Sequence, residues 1–168
     1  MVKIYLPDVV MESVLYVEGT QVKAPVKSFT LPGMELNTTE SNCGPYSISV
    51  PGKLKEPGDL TVTFGGDAVE VAKKRGQVTK LTSYRLTAAI RRAGEPARKI
   101  EVSFRAIAKS EGQSQKIGDE GDCGFGFHTV MNYSEVRSNE LVASINYLQG
   151  KVFLGDVDQY GDVMSVLE

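Results

Sequence analysis

His128 is the single histidine in a chain of 168 residues, so any search for chemistry starts there. A nucleophilic triad needs a base beside a nucleophile and a third group that orients the base. The sequence has no G-x-S-x-G elbow and no second histidine to share a metal. His128 falls among Phe125, Phe127, Val130 and Tyr133, in what reads as a strand, which marks it as a structural residue. Gly118, Gly121, Gly124 and Gly126 are spaced loosely like a phosphate cradle. A cradle lies between a strand and a helix N-terminus, whereas these glycines precede a strand. Asp119, Glu120 and Asp122 between them repel phosphate, so the segment reads as a mobile hairpin loop. Asp156-x-Asp158 followed by Gly161 opens like a calcium loop. Its fifth and twelfth positions are Tyr160 and Leu167, where an oxygen donor and a bidentate Glu are required, so it reads as a solvated acidic turn. Glu35, Glu40, Glu56 and Asp59 form no assignable acid–base pair. The expectation is a protein without catalytic residues, metal or cofactor.

Cys43 and Cys123 lie far apart, neither with a second Cys or a His at metal-ligand spacing. They read as free thiols of a reducing compartment, with a disulfide between them left open. The formal net charge is −2, which argues against a role in gripping nucleic acid by its phosphates. No apolar run approaches the ~20 residues of a membrane span, and the first residues do not resemble a cleaved signal.

The elements that carry these residues are mostly strands. Ile100, Val102, Phe104, Ala106 and Ala108 alternate with Lys99, Glu101, Ser103, Arg105 and Lys109, as one buried and one polar strand face require. Leu86, Ala88 and Ile90 alternate in the same way with Arg85, Thr87 and Arg91, and so do Leu60, Val62 and Phe64 with Thr61 and Thr63. Shorter candidate strands cover 13–18, 26–31, 46–50, 125–136, 141–147 and 151–157. Turn chemistry stands at Gly19-Thr20, Gly94-Glu95-Pro96 and Ser138-Asn139.

One helix is expected after Gly65-Gly66. Asp67 would cap it, with Glu70 completing a capping box. Val69, Ala72 and the Lys73 stem would face inward, Lys73, Lys74 and Arg75 would meet the negative dipole end, and Gly76 would close it. Two stretches, 32–58 and 111–124, read as long irregular loops. The fold class expected is mainly β: a sandwich or barrel of two packed antiparallel sheets with one flanking helix, as a single domain over 1–168 with an extended loop at about 33–58.

The order of segments carries a resemblance. SVLYVEGTQV, then VKSFTLPGMELNTTE, then LTVTFGGD is similar to the N-terminal half of the major tail tube proteins of contractile-tailed phages and R-type bacteriocins. That family opens with an apolar strand ending in an Asn/Asp/Glu-Gly turn, followed by a segment like SVTLPKL, a long Gly- and Pro-containing loop, and a strand before the helix. FRAIAKSEGQSQKIGDEGD and VMNYSEVRSNELVASINYLQGKVFLGDVDQY resemble its C-terminal half, so the likeness covers roughly Ser13 to Tyr160. The family's PKL stands here as Pro32-Gly33-Met34, and its RAGGMDAP loop as Ser41-Asn42-Cys43-Gly44-Pro45.

The resemblance implies a structural subunit of a viral tail tube. Hexameric rings would stack into a tube whose lumen conducts DNA into the host without specific binding. Sheath protein would surround the tube, and baseplate and tail terminator proteins would cap it, in a virion assembled in the host cytoplasm. Arg85, Arg91, Lys99, Glu101, Ser103 and Arg105 would then face the lumen or a neighbouring subunit, their mixed signs largely paired. Met34, Leu36, Tyr46, Ile48, Val50 and Leu54 would belong to a ring-stacking loop, because a solvated loop has little use for so many apolar side chains. The tube of a type VI secretion apparatus or of a non-contractile tail is an alternative of the same structural class, separated by a neighbouring sheath gene. A small β-sandwich binding or adhesion module is an alternative of another class. It would need an aromatic patch, and the chain has no Trp and scattered Tyr.

Overall fold

A computed structural model describes residues 7–43, 45–55, 57–114, 117, 121–159, 161 and 166. Period-two patterning becomes strand wherever it was dense. β6 (Leu60–Gly65) buries Leu60, Val62 and Phe64 completely and leaves Thr61 and Thr63 half-buried. β7 (Thr82–Arg91) buries Tyr84, Leu86, Ala88 and Ile90, and β8 (Arg98–Ser114) buries Val102, Phe104, Ala106 and Ala108. β1 (Val9–Val17), β2 (Thr20–Gln21), β3 (Val26–Thr30), β9 (Asp122–Arg137), β10 (Glu140–Asn146), β11 (Lys151–Leu154) and β12 (Val157–Asp158) complete the main sheet, with every pairing antiparallel.

The long β8–β9 hairpin turns that sheet into a sandwich. Its outer half is flanked by β6 and β3, since Leu60 to Gly65 pair with Phe127 to Asp122. Its inner half is flanked by β7, β1 and β2 on one side and by β10, β11 and β12 on the other. Between the halves the β8–β9 register shifts at Arg105/Ile107 and again at Ser110/Gly112. Thr129 takes φ 52° beside the first shift. Such irregularities bend a strand and let one hairpin serve two sheets. The two inner faces meet in an aromatic core: Tyr84 and Phe104 of one sheet lie 4.6 and 5.3 Å from Phe127 of the other, centroid to centroid. The expected fold class, two packed antiparallel sheets with one short helix, is the one observed.

Two turns show why their residue types were legible. Ser138 and Asn139 both take positive φ, 52° and 69°, between β9 and β10, as do Glu18 (49°) and Gly19 (85°) between β1 and β2. Paired positive φ matches the right-handed twist of the flanking strands.

Three expectations need correction. The segment 32–58 is a two-stranded hairpin, β4 (Leu36–Cys43) and β5 (Tyr46–Leu54), where a loop around one short strand was expected. LNTTESNC has no apolar alternation, so only its cross-strand partner makes it a strand. The segment 111–124 also holds more strand than expected, because β8 runs to Ser114 and β9 begins at Asp122; Gly118, Asp119 and Glu120 lie outside the described residues. The helix α1 (Val69–Ala72) is one turn long, and its N-cap is Ala68 without a side-chain hydrogen bond, so the Asp67–Glu70 capping box does not form. Ala68 and Val71 are fully buried while Val69 is exposed. Burial of Ala68 pins the start of the turn one residue later than the capping pattern suggests. Beyond it, Lys74 Nζ donates to Glu18 Oε2 at 2.7 Å. That hydrogen bond and the Lys74 charge lower the Glu18 carboxyl below its ordinary range.

Candidate assembly surfaces

The face of the inner sheet that turns away from the core is built from cross-strand rows. Tyr16 pairs with Arg85, Arg85 with Ser103, Ser103 with Ser134, and Ser134 with Ser144. One row along, Ser83 pairs with Arg105, Arg105 with Asn132, and Asn132 with Asn146, which pairs with Lys151. Directly paired residues share a face, so hydroxyls, carboxamides and cations stand together opposite the aromatic core. The rows line a trough of about 450 Å³. All six residues singled out on β7 and β8 lie on this face, because each alternates with a buried or core-packed neighbour.

Their pairing is uneven. Lys99 makes an ion pair with Glu101. The Arg85 guanidinium lies 4.6 Å over the centre of the Tyr16 ring, a cation–π contact. Arg91 and Arg105 are exposed and make no ion pair among the described residues.

The six apolar residues of the hairpin segment divide. Met34 and Leu54 pack against the subunit's own core, and Leu36 is half-buried at the root of β4. Tyr46 is 74% and Ile48 50% exposed, on a hairpin whose strands pair only with each other among the described residues. The side chain of Val50 lies outside the described residues. Lys55 Nζ to Glu35 Oε2 (3.0 Å) and Lys55 N to the Glu35 carbonyl (2.8 Å) clamp the root.

A surface the sequence reading missed is the outer edge of β1. From Val9 to Val14 the strand pairs with β7 on one side only, and β2 meets it at Tyr16 and Val17. Val9, Val10 and Met11 are all about half exposed along this edge, and the register shift between Val10 and Glu12 makes Met11 a bulge residue. The run VVM before ESVLYV was the available signal.

The residues tested for chemistry do not assemble into a site. His128 Nδ1 lies 2.5 Å from Asp59 Oδ1 at the start of β6, with no serine, cysteine or second base completing a relay in the contacts of the pair. Among the described residues, no group of three His, Cys, Asp or Glu side chains could hold a metal ion. Tyr160 and Leu167 lie outside the described residues. Cys123 is a buried free thiol, and the Cys43 side chain lies outside the described residues. Gly126 does have a close-packing role: a Cβ there would come within 2.6 Å of Glu111 Oε1 across the β8–β9 pair. No described helix is long and apolar enough to cross a membrane.

Comparison with known proteins places these surfaces in context. No curated protein matches the chain. Among solved structures, it is similar to a chain of a cryo-EM structure of an extracellular contractile injection system, the PVC sheath/tube terminator in its extended state. That match has 16% identity and a TM-score of 0.49, covering 77% of this chain and 97% of the other. It is also similar to a chain of the six-fold symmetrised baseplate of the anti-feeding prophage, at 4% identity and a TM-score of 0.47, covering 81% and 96%. The family model described as phage tail tube protein FII matches residues 7–167, nearly the full length. The protein therefore belongs to the phage tail tube protein FII family, and its role is that of a structural tail tube component.

Proposed function

We propose that the chain is the repeating subunit of a contractile tail tube, in which six copies close into a ring and the rings stack around a lumen that conducts DNA. The observation that carries this reading is the inner sheet itself. It presents a troughed, polar face opposite its core face and ends in an open, apolar β1 edge. A sheet edge of that kind is a template for pairing with another chain, and closure into a barrel removes it. Head-to-tail contacts between different patches generate rings when the rotation closes. The polar face then looks into the lumen, and the β4–β5 hairpin reaches the next ring. The subunit is not an enzyme and takes no cofactor. Its partners are copies of itself, the surrounding sheath, and the baseplate and terminator proteins at the ends of the tube. It assembles in the host cytoplasm and functions in the virion.

The test is negative-stain electron microscopy of the purified protein at high concentration. Six-fold rings or tubes are expected. Particles that stay monomeric at every concentration and salt overturn the reading.

A further inference from the structure

The polar face of the inner sheet is cationic, although the whole chain carries a formal charge of −2. Arg85, Arg91, Lys99, Arg105 and Lys151 stand on it by alternation or direct cross-strand pairing. The described carboxylates set there by the same pairing are Glu12, opposite Ala89, and Glu101, which Lys99 neutralises. The cations follow the β7–β8 ladder: Arg105 lies opposite Ser83, and Arg91 is eight residues further along β7. At the rise of a strand that is a stripe of roughly 27 Å.

Between the cations lie neutral hydrogen-bonding groups. Ser103, Ser134 and Ser144 form one cross-strand row. Asn132 and Asn146 form part of the next. We infer that this face contacts the phosphodiester backbone of duplex nucleic acid, through the arginine forks of Arg85 and Arg105 and the flanking hydroxyls. Arginine presents donors in a planar fork that matches phosphate oxygens, and hydroxyl and carboxamide side chains complete such contacts. The duplex fits better than a single strand. Single strands are held by exposed aromatic platforms. Tyr16 on this face is already covered by the Arg85 guanidinium, and the chain has no Trp. A sheet face with short side chains also has no element that enters a groove, so the contact reads charge and not base sequence.

The inference deepens the tube reading by naming what the lumen-facing residues touch, but it is tested separately, on unassembled subunits. A fluorescently labelled duplex is titrated with the chain below its assembly concentration, and anisotropy is read across a salt series. With about three to four phosphates neutralised, affinity falls roughly 40- to 150-fold between about 50 and 200 mM salt. The Arg85→Gln/Arg105→Gln variant is expected to bind more weakly and to reduce the log–log salt slope by about two. Lys55→Gln, on the hairpin root, leaves the slope unchanged. If the double variant does not fold, Arg91→Gln/Lys151→Gln replaces it, with the same reduction expected. No duplex binding at low salt, an unchanged slope in the variant, an equal loss in Lys55→Gln, or capture of poly-glutamate in preference to the duplex overturns the inference. Tubes that form from a chain unable to bind the duplex sink this inference alone. A chain that binds the duplex and never forms rings sinks the tube reading alone.

Discussion

The Tyr133 hydroxyl donates to Glu135 Oε2 at 2.8 Å, two residues away on the same buried face of β9, while Arg137 Nε donates to Oε1 at 2.5 Å from the rim. A carboxylate buried in this way depends on both donors, and each donor depends on it. Glu135→Ala orphans the buried Tyr133 hydroxyl, whereas Arg137, about half exposed, can turn to water. Glu135→Ala is expected to lower stability by about 1–3 kcal/mol, read from the urea midpoint at constant slope. An unchanged midpoint shows that the carboxylate contributes nothing net to the fold.

Alkaline pH tests the aromatic core. Burial, opposed by a hydrogen bond from Thr82 and reinforced by the Glu18 charge, pushes the Tyr84 hydroxyl up to about 12. Burial and then the Glu135 charge push Tyr133 higher still. A raised value means that the folded chain keeps its proton where the unfolded chain, near pH 10, loses it. The stability tied to Tyr84 is therefore complete below about pH 10 and lost progressively as pH rises toward about 12, amounting to about 2–3 kcal/mol. Denaturation midpoints measured from pH 8 to 12 should fall over that window, and Tyr84→Phe should flatten part of the fall. A flat wild-type profile contradicts the assignment.

The hairpin separates folding from assembly. Replacing residues 37–53 with a short Gly-Ser linker keeps Met34 and Leu54 on the core. The variant is expected to retain its melting temperature within a few degrees, because an isolated two-stranded hairpin adds little independent stability. It is expected not to form stacked tubes. Normal tubes from the deletion variant remove the hairpin from ring stacking.

The open edge of β1 makes a parallel prediction. Met11→Lys places a charge on an already exposed bulge residue, which alters stability by roughly 0.5 kcal/mol or less. Charged edges block strand pairing between chains. Single rings should therefore be lost in micrographs while circular dichroism is unchanged. Rings formed by Met11→Lys as readily as by wild type would place the ring contact elsewhere.

His128→Ala addresses catalysis and metal together. The Asp59 contact involves side chains 31% and 50% exposed, so the substitution is expected to cost under about 1 kcal/mol. Elemental analysis should find no stoichiometric metal in either protein. A bound metal lost with His128 would return the residue to a functional role.

Alternation along 60–64, 86–90 and 100–108 determined the core strands from sequence alone, because a face buried on one side imposes a period of two on every strand that joins it. Ser138-Asn139 was legible for a similarly local reason, since few residue pairs adopt two positive φ angles without strain. β4 was not legible, as a polar strand becomes a strand only through its partner. The sequence also showed the cations of β7 and β8 without showing what faces them. Tertiary structure decided that Arg85 lies over Tyr16, that Arg105 faces Asn132, and that Lys151 joins the same surface from nearly fifty residues away. Register between distant strands is a property of the folded sheet, so the troughed cationic face and the open β1 edge exist only once β1, β7, β8, β9, β10 and β11 stand side by side.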